Sequence, residues 1–477
     1  MELSNDILEL KNLVISLLSK LDKLQARVGE LETENAQLRS ENAELRQGLN
    51  TNSRNSNQPP SKDLYKIKPA FPKTSKGKQG GQIGHKGRTL AQSVTPDELI
   101  DLATPTVCSC GLDLSEVPLK LQQKRQLFDL PKVNLYVKEY RQYSRVCPCC
   151  KNRLLGNFPT ELSQPVQYGS GVLALCNLLS SGFHLSCQQI GQLFSDLYDQ
   201  PLNTATVIAA NERAYQALAP TENVVKEHIL ASEVVHFDET GLACQGKTHW
   251  LHTACTGLWT FLFVHAKRGK KALESPKSII KDFTKVAIHD CWASYFNFDN
   301  ASHGLCNAHL LRELQALIEN NSLWAGKMHA LLMKLYQLTD KGKSHLENLI
   351  PYIQEYQSIC QEANREEPQP TQKPRGKPKS SKGRNLLNRL VQHQDSVLAF
   401  AKYDYIPFTN NQAERDIRPV KGKIKNAGCF RSTDGADHFA RIQSFISSTR
   451  KQSQSVFKEL INTHQGYNFI TIAYASK

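Results

Sequence analysis

Long apolar runs are missing from this 477-residue sequence. No stretch is apolar enough to span a bilayer, and the first residues are charged and polar where a signal peptide would carry its apolar centre, so the expectation is a cytoplasmic protein with no membrane partner. Acidic residues are also in deficit: 45 Asp and Glu against 59 Lys and Arg leave a formal net charge of +14. A surface of that sign attracts polyanions, because Lys and Arg displace the counterions condensed on nucleic acid, which makes nucleic acid the leading partner. A disulfide framework is not expected either. Thirteen cysteines scattered through a chain in a reducing compartment point to buried thiols or metal ligands. The length exceeds what one hydrophobic core serves, so several folded units are expected.

Leucine recurs at every seventh position as Leu10, Leu17, Leu24, Leu31, Leu38 and Leu45, with Ile7, Val14, Leu21, Val28, Asn35, Asn42 and Leu49 interleaved. This predicts a coiled coil over residues 1–50. The two seam asparagines select a register and favour a parallel dimer, and Arg27 with Glu32, Glu34 with Arg39 and Glu41 with Arg46 suit pairing across it. A homodimer or higher oligomer follows. Residues 51–95 lack the apolar content to bury a core and carry Lys62, Lys66, Lys68, Lys73, Lys76 and Lys78. They read as a basic flexible linker, either tracking phosphates or simply solvated.

Residues 96–160 hold two cysteine pairs, Cys108 with Cys110 and Cys147 with Cys150, and an alternating segment, Leu135–Tyr140, that reads as a strand. Thiolates from two turns suit tetrahedral Zn²⁺, which would staple a small zinc-ribbon-like, DNA-binding module; Cys149 is a competing ligand. Residues 161–228 read as helical, with one helix over Gln188–Leu197, a break at Pro201, and another from Thr204. A helix-turn-helix DNA-reading region and a plain helical connector are both open.

From residue 233 the texture changes to three short strands in close succession, Val234–Asp238, Thr248–Ala254 and Leu258–Val264, then a helix near Lys277–Phe283 and a fourth strand, Lys285–Asp290. After an antiparallel trio, the fourth strand is expected beside the first. That order matches a ribonuclease-H-like α/β catalytic core over residues 229–309 and 400–450, followed by a C-terminal tail, 451–477. Asp238 and Asp290 would then face each other across neighbouring strands. Phosphodiester chemistry needs hard cations, Mg²⁺ or Mn²⁺, held by carboxylates, and a third acid from a later helix is supplied by Glu414 in Asn410-Asn411-Gln412-Ala413-Glu414. Glu239 would face away from Asp238 on a strand, and Asp416 would sit elsewhere on the helix. Residues 310–399 read as a helical insertion with an exposed basic loop from Gln369 to Arg384. His309, Arg312, Arg415, Arg418 and Lys421 are candidate DNA contacts, although Cys306 and His309 equally suit a structural role. The fold class is thus multidomain α+β.

These motifs resemble the transposases of insertion sequence family sixty-six. The resemblance rests on Asn52–Asp63 with its Pro59-Pro60-Ser61, on Gly80–Gly87, and on His236–Thr240, His289–Trp292, Cys306–Arg312 and Asn410–Arg418. It implies a metal-dependent Asp-Asp-Glu transposase with Asp238, Asp290 and Glu414 as its acids and a helical insertion before the last. Double-stranded DNA, as element ends and target, would be its substrate; a nucleoid-associated location and accessory proteins of the same element fit. The alternatives are a non-catalytic DNA-binding derivative and a ribonuclease-H-like nuclease without strand transfer.

Overall fold

The computed structural model describes residues 14–15, 17–31, 34, 42, 45, 51–52, 54–56, 90–131, 133–342, 344–369 and 380–475. The chain divides into two units, one of residues 1–72, 164–190 and 203–477, the other of residues 73–163 and 191–202. Of the predicted zipper, Val14, Leu17, Leu21, Leu24, Val28, Leu31, Asn42 and Leu45 are described and lie on helix with their side chains exposed. Ile7, Leu10, Asn35, Leu38, Leu49 and the charge pairs that need Glu32, Arg39, Glu41 or Arg46 fall outside the described residues, as do the lysines of residues 62–78 and Gly80–Gly87.

The smaller unit contains one hairpin, β1 (Ser144–Val146) with β2 (Arg153–Leu155), antiparallel. The strand expected at Leu135–Tyr140 does not form. Among the described residues the segment has no strand pairing, and Tyr136 and Val137 remain more than 80% exposed. Alternation creates a strand only where a partner ladder buries one face.

The larger unit is built on a five-stranded mixed sheet of β3 (Val234–Cys244), β4 (Lys247–Cys255), β5 (Thr260–His265), β6 (Val286–His289) and β7 (Ser302–Leu305), in spatial order β5-β4-β3-β6-β7. The first three strands run antiparallel; β6 pairs in parallel with β3, and β7 in parallel with β6. The pairing of the fourth core strand with the first is the one its sequence order predicts. Two expectations change. The stretch near Lys277–Phe283 yields only a single 3₁₀ turn, Ile280–Asp282, and β7 was not anticipated because Ser-His-Gly-Leu carries no β-branched residue.

Both faces of the sheet are covered. Val235 and Phe237 of β3, Ala254 of β4 and Phe261 and Phe263 of β5 pack with α1 (Ser170–Asn177), α3 (Thr204–Ala217), α4 (Ala219–Ala231) and Ile442, Phe445 and Ile446 of a later helix. Between α1 and α3, α2 spans Cys187–Tyr198. Thus the break at Pro201 separates two helices as expected, and the second buries Ala214 in the core of the sheet. Leu242, Leu251, Leu262 and Val264 face the other way.

The insertion consists of α5 (Asn307–Ile318), α6 (Leu323–Leu338), α7 (Ile350–Glu366), α8 (Lys382–Gln392) and α9 (Gln394–Lys402) around buried Trp324, Met328, Tyr356 and Leu387. Its two ends are pinned together: the N–H of Asn307 donates to the carbonyl of Phe408 at 3.0 Å. The end of the expected basic loop is not exposed. Arg384 lies buried in α8, donating to Asn364 Oδ1 and the Glu367 carbonyl, while residues 370–379 are outside the description. Nor is the start of the expected linker free. Asn52, Asn55 and Ser56 form a turn closed by their own side chains, and buried Asn55 donates to Glu319 Oε2 at 2.6 Å. Asx side chains supply the hydrogen bonds that composition alone does not reveal.

After the insertion come α10 (Asn411–Ala427), α11 (Thr433–Lys451), α12 (Val456–His464) and α13 (Phe469–Ala475). Gly428, at φ +72°, ends α10, and Phe430 then adds a bridge to Cys244 beyond Asp238 on β3. The edge strand β5 is capped by α11: Ser448 and Ser444 accept the N–H groups of Thr260 and Leu262 at 3.0 and 2.9 Å. Asp416 of α10 ion-pairs with Lys451 of α11 and accepts from Thr260 Oγ1 at 2.9 Å, both charged side chains at most 12% exposed. That pair locks the helix bearing Glu414 onto the sheet. Asp416→Ala strands a buried cation, and urea denaturation is expected to register a loss of about 3–5 kcal/mol; Asp416→Leu with Lys451→Met should recover most of it.

Candidate active site

Parity along β3 decides which acid points where. Val235 and Phe237 face one core and Leu242 and Cys244 the opposite one, so Asp238 shares the face on which α10 packs, and Glu239 takes the other. The β3–β6 register runs Val234 to Val286 through His236 to Ile288. Continued two residues, it sets Asp238, midway along β3, opposite Asp290 just past the end of β6, where the parallel pairing of the two strands gives out.

Glu414 reaches this face through Asn410. That side chain, 2% exposed, does not cap α10. Instead its Nδ2 donates to the carbonyl of Phe237 at 2.8 Å, and its Oδ1 meets His236 Nδ1 at 2.8 Å. Its backbone N–H donates to Cys306 Sγ at 3.1 Å. One amide therefore ties the helix start to the residue before Asp238 and to the end of β7. Glu414 lies in the first turn beyond it, and its Oε1 is buried with no hydrogen-bond partner among the described residues.

Charge shows how the acids interact. Burial pushes the Asp238 carboxyl well above the ordinary range, and the neighbouring charges of Glu239, Asp290 and Glu414 add to the rise. Burial also raises Asp290, partly opposed by the Trp292 N–H that donates to its Oδ1 at 3.1 Å. Asp238 Oδ1 accepts the Glu239 N–H at 2.8 Å. Buried carboxyls of this kind, Asp238 and Asp290, are donors suited to hard divalent cations, whose charge offsets the cost of ionising them.

Among the described residues, one group of Cys, His, Asp or Glu has three ligand atoms within 4.8 Å of one another: Cys306, His309 and Glu414. The three acids together do not close to that distance. Cys306 is buried, its thiol pushed up to about 11 by burial, and it already accepts from Asn410, which suits a structural thiol. Burial lowers His309 to about 4, leaving a neutral ring whose Nδ1 has no partner among the described residues.

The remaining candidates separate clearly. Arg415, Arg418 and Lys421 are exposed on one stripe of α10, opposite buried Ala413, Ile417 and Val420; Arg418 reaches Glu414 at 3.7 Å and Arg415 donates to Gln412. Arg312 is half-buried on α5. In the smaller unit Cys108 and Cys110 sit on a turn closed by Gly111 N–H to Cys108 O, and Cys147 and Cys150 on a turn closed by Lys151 N–H to Cys147 O. Backbone and side-chain hydrogen bonds from Cys110 lower the Cys108 thiol, and backbone bonds from Cys150 and Cys149 lower that of Cys147. The four sulfurs are not gathered into one group at 4.8 Å.

Glu239, set aside on parity, is more engaged than its sequence position suggests. Its side chain is 1% exposed, ion-paired to Arg268 at 2.7 Å and bonded to Tyr295 Oη at 2.5 Å. No sequence motif marks Arg268 or Tyr295 as partners; Asn410 had a local signal, as the residue just before the helix of Glu414.

Because Asp238, Asp290 and Glu239 are all raised, the metal-free chain binds more protons folded than unfolded above the ordinary carboxylate range. Its stability therefore falls as pH rises through those raised values. Asp238→Asn should flatten that fall and stabilise the metal-free protein at neutral pH by about 1 kcal/mol or more. Calorimetric melts across pH would show it, with added Mg²⁺ raising the wild-type midpoint more than that of the variant.

No curated protein matches the chain. A family model described as Transposase IS66 family matches residues 165–438, more than half of the sequence, running from just before α1 through β3–β7 and the insertion into α11. Together with the sheet and the motifs it carries, that match means that the chain belongs to the IS66 family of transposases.

Proposed function

We propose that this protein binds the ends of an insertion sequence and catalyses metal-dependent cleavage and transfer of DNA strands, with Asp238, Asp290 and Glu414 as its catalytic acids on a ribonuclease-H-like core. The observation that carries this reading is geometric: the β3–β6 register runs toward Asp238 opposite Asp290, and the Asn410 side chain ties the start of the helix bearing Glu414 to the carbonyl just before Asp238. Mg²⁺ or Mn²⁺ held by these carboxylates would supply activation of the attacking water or 3′-hydroxyl and neutralisation of the leaving oxygen. The chain's own part is positional. Asn410 fixes Glu414 against β3, the Trp292 N–H orients Asp290, and the Glu239 N–H orients Asp238.

The exposed stripe of Arg415, Arg418 and Lys421 supports backbone contact with DNA beside the acids. The exposed leucines on the N-terminal helix support a coiled-coil dimer, because an apolar seam left in water by one chain is covered by a second. Turns bearing Cys108, Cys110, Cys147 and Cys150 support a zinc-ribbon-like module that closes when Zn²⁺ draws the pairs together.

The direct test uses a plasmid carrying the coding sequence with its own flanking DNA. Wild type should nick at the element ends in Mg²⁺ and join the 3′-hydroxyl to target DNA, while Asp238→Asn, Asp290→Asn and Glu414→Gln should each lose about 1,000-fold or more. Nicking without joining would identify a nuclease, and no nicking would identify a DNA-binding derivative. Replacing Arg415, Arg418 and Lys421 together by Ala should reduce the slope of log affinity against log salt by roughly 2–3, read by fluorescence anisotropy on the same ends.

A further inference from the structure

Arg268 lies just past β5 and takes part in none of the assignments above. Its Nε and Nη2 both face Oε1 of buried Glu239, at 2.8 and 2.7 Å, leaving Nη1 without a hydrogen-bond partner among the described residues. The guanidinium lies over two indoles, with its carbon 4.9 Å from the ring centre of Trp250 and 4.3 Å from that of Trp292. Tyr295 fixes the other carboxylate oxygen of Glu239 and packs edge-on against Trp292, ring centres 5.7 Å apart. Despite this clamp the Arg268 side chain remains 40% exposed.

The clamp borders the candidate active site, with the Glu239 side chain on the face of β3 opposite that of Asp238. Glu239 follows Asp238 directly and donates its N–H to that carboxylate, and Trp292 donates its N–H to Asp290. Arg268 is thus oriented by the two residues that orient the first two acids, and its charge acts on Asp290. A guanidinium needs one anionic partner for neutrality, and Glu239 supplies it. Two stacked indoles are more than neutrality requires; they fix the plane of the group while one edge stays open. Fixed, partly exposed guanidinium edges suit phosphate oxygens, because the planar fork loses little further freedom on binding.

We propose that Arg268 is the substrate-positioning residue of this site, holding a phosphate of the DNA strand next to Asp238 and Asp290. This rests on the reading of those acids as catalytic. Glu239, Trp250, Trp292 and Tyr295 act through it, setting its plane and its distance from the carboxylates.

The test compares wild type, R268A and the double variant E239Q/R268Q, which keeps the buried hydrogen-bonding pair without its two charges. The probe is a duplex taken from the DNA flanking the coding sequence. Binding is measured across a salt series without divalent cation, and nicking in Mg²⁺ as a function of duplex concentration, with D238N as the reference for a lost active site. One phosphate contact is worth a salt slope of about 0.7–0.9. Both Arg268 variants should lose that much and raise the half-saturating duplex about tenfold. An unchanged slope and half-saturation in a variant that still melts cooperatively overturns the proposal, and so does a lowered melting point with an unchanged slope, which marks a purely structural role. Should R268A fail to fold, the double variant decides on the same criteria. If wild type and D238N are equally inactive, the catalytic reading fails on its own, while the salt slope still reports whether Arg268 touches phosphate.

Discussion

Carboxylates gathered into a small, poorly solvated volume repel one another, and a fold that gathers them must supply the restraint from elsewhere. Here much of it comes through the Asn410 amide, whose hydrogen bonds reach the carbonyl before Asp238 and the ring of His236, while its backbone N–H reaches the thiol that ends β7. None of these partners carries a formal charge of its own, because burial holds His236 and Cys306 in their neutral forms. The restraint therefore brings no countercharge to the acids. A Lys or Arg in that position would bring one, and it could not accept from His236 as the Asn410 Oδ1 can.

A second constraint works at the sheet margins. Strand β5 is an edge with α11 laid along it, and the hydroxyls of Ser444 and Ser448 take up backbone N–H groups that a further strand would otherwise claim. The same helix carries Lys451, the countercharge of Asp416. Closing the sheet edge and anchoring the helix of Glu414 are thus one act of packing, which explains why two acids two residues apart on α10 behave so differently. Asp416 is neutralised and buried, whereas Glu414 keeps one oxygen unpartnered.

How far the sequence could be read depended on the range of the interaction in question. Strands β3 to β6 were legible because their apolar runs are bounded by turns, and the order of an antiparallel trio followed by a crossover leaves few places for the fourth strand. The three acids were named from their positions in that same order. Strand β7 was not legible, since Ser302–Leu305 is held by its neighbour's ladder and by α9 rather than by propensity. Asn55, Arg384 and Arg268 were misread or unnoticed for a shared reason: each is a polar residue in a polar context whose partner lies more than fifteen positions away in the chain. Composition assigns such residues to solvent, and only the fold reveals the carboxylate or amide they meet.

The pinned ends of the insertion carry one more consequence. Between Asn307 and Phe408 the chain travels through five helices and returns to within one backbone hydrogen bond of its departure point. The excursion is packed on the sheet as well as tied to it, since Val286 and Ile288 of β6 and Leu305 of β7 share one buried cluster with Trp324, Tyr356, Leu387 and Phe400 of these helices. Residues can be gained or lost in the connections between the helices at the slowly growing entropic cost of a longer loop, with the spacing between β7 and α10 preserved. The apolar faces of the helices have no such freedom, because the strands beneath them set the shape those faces must fill.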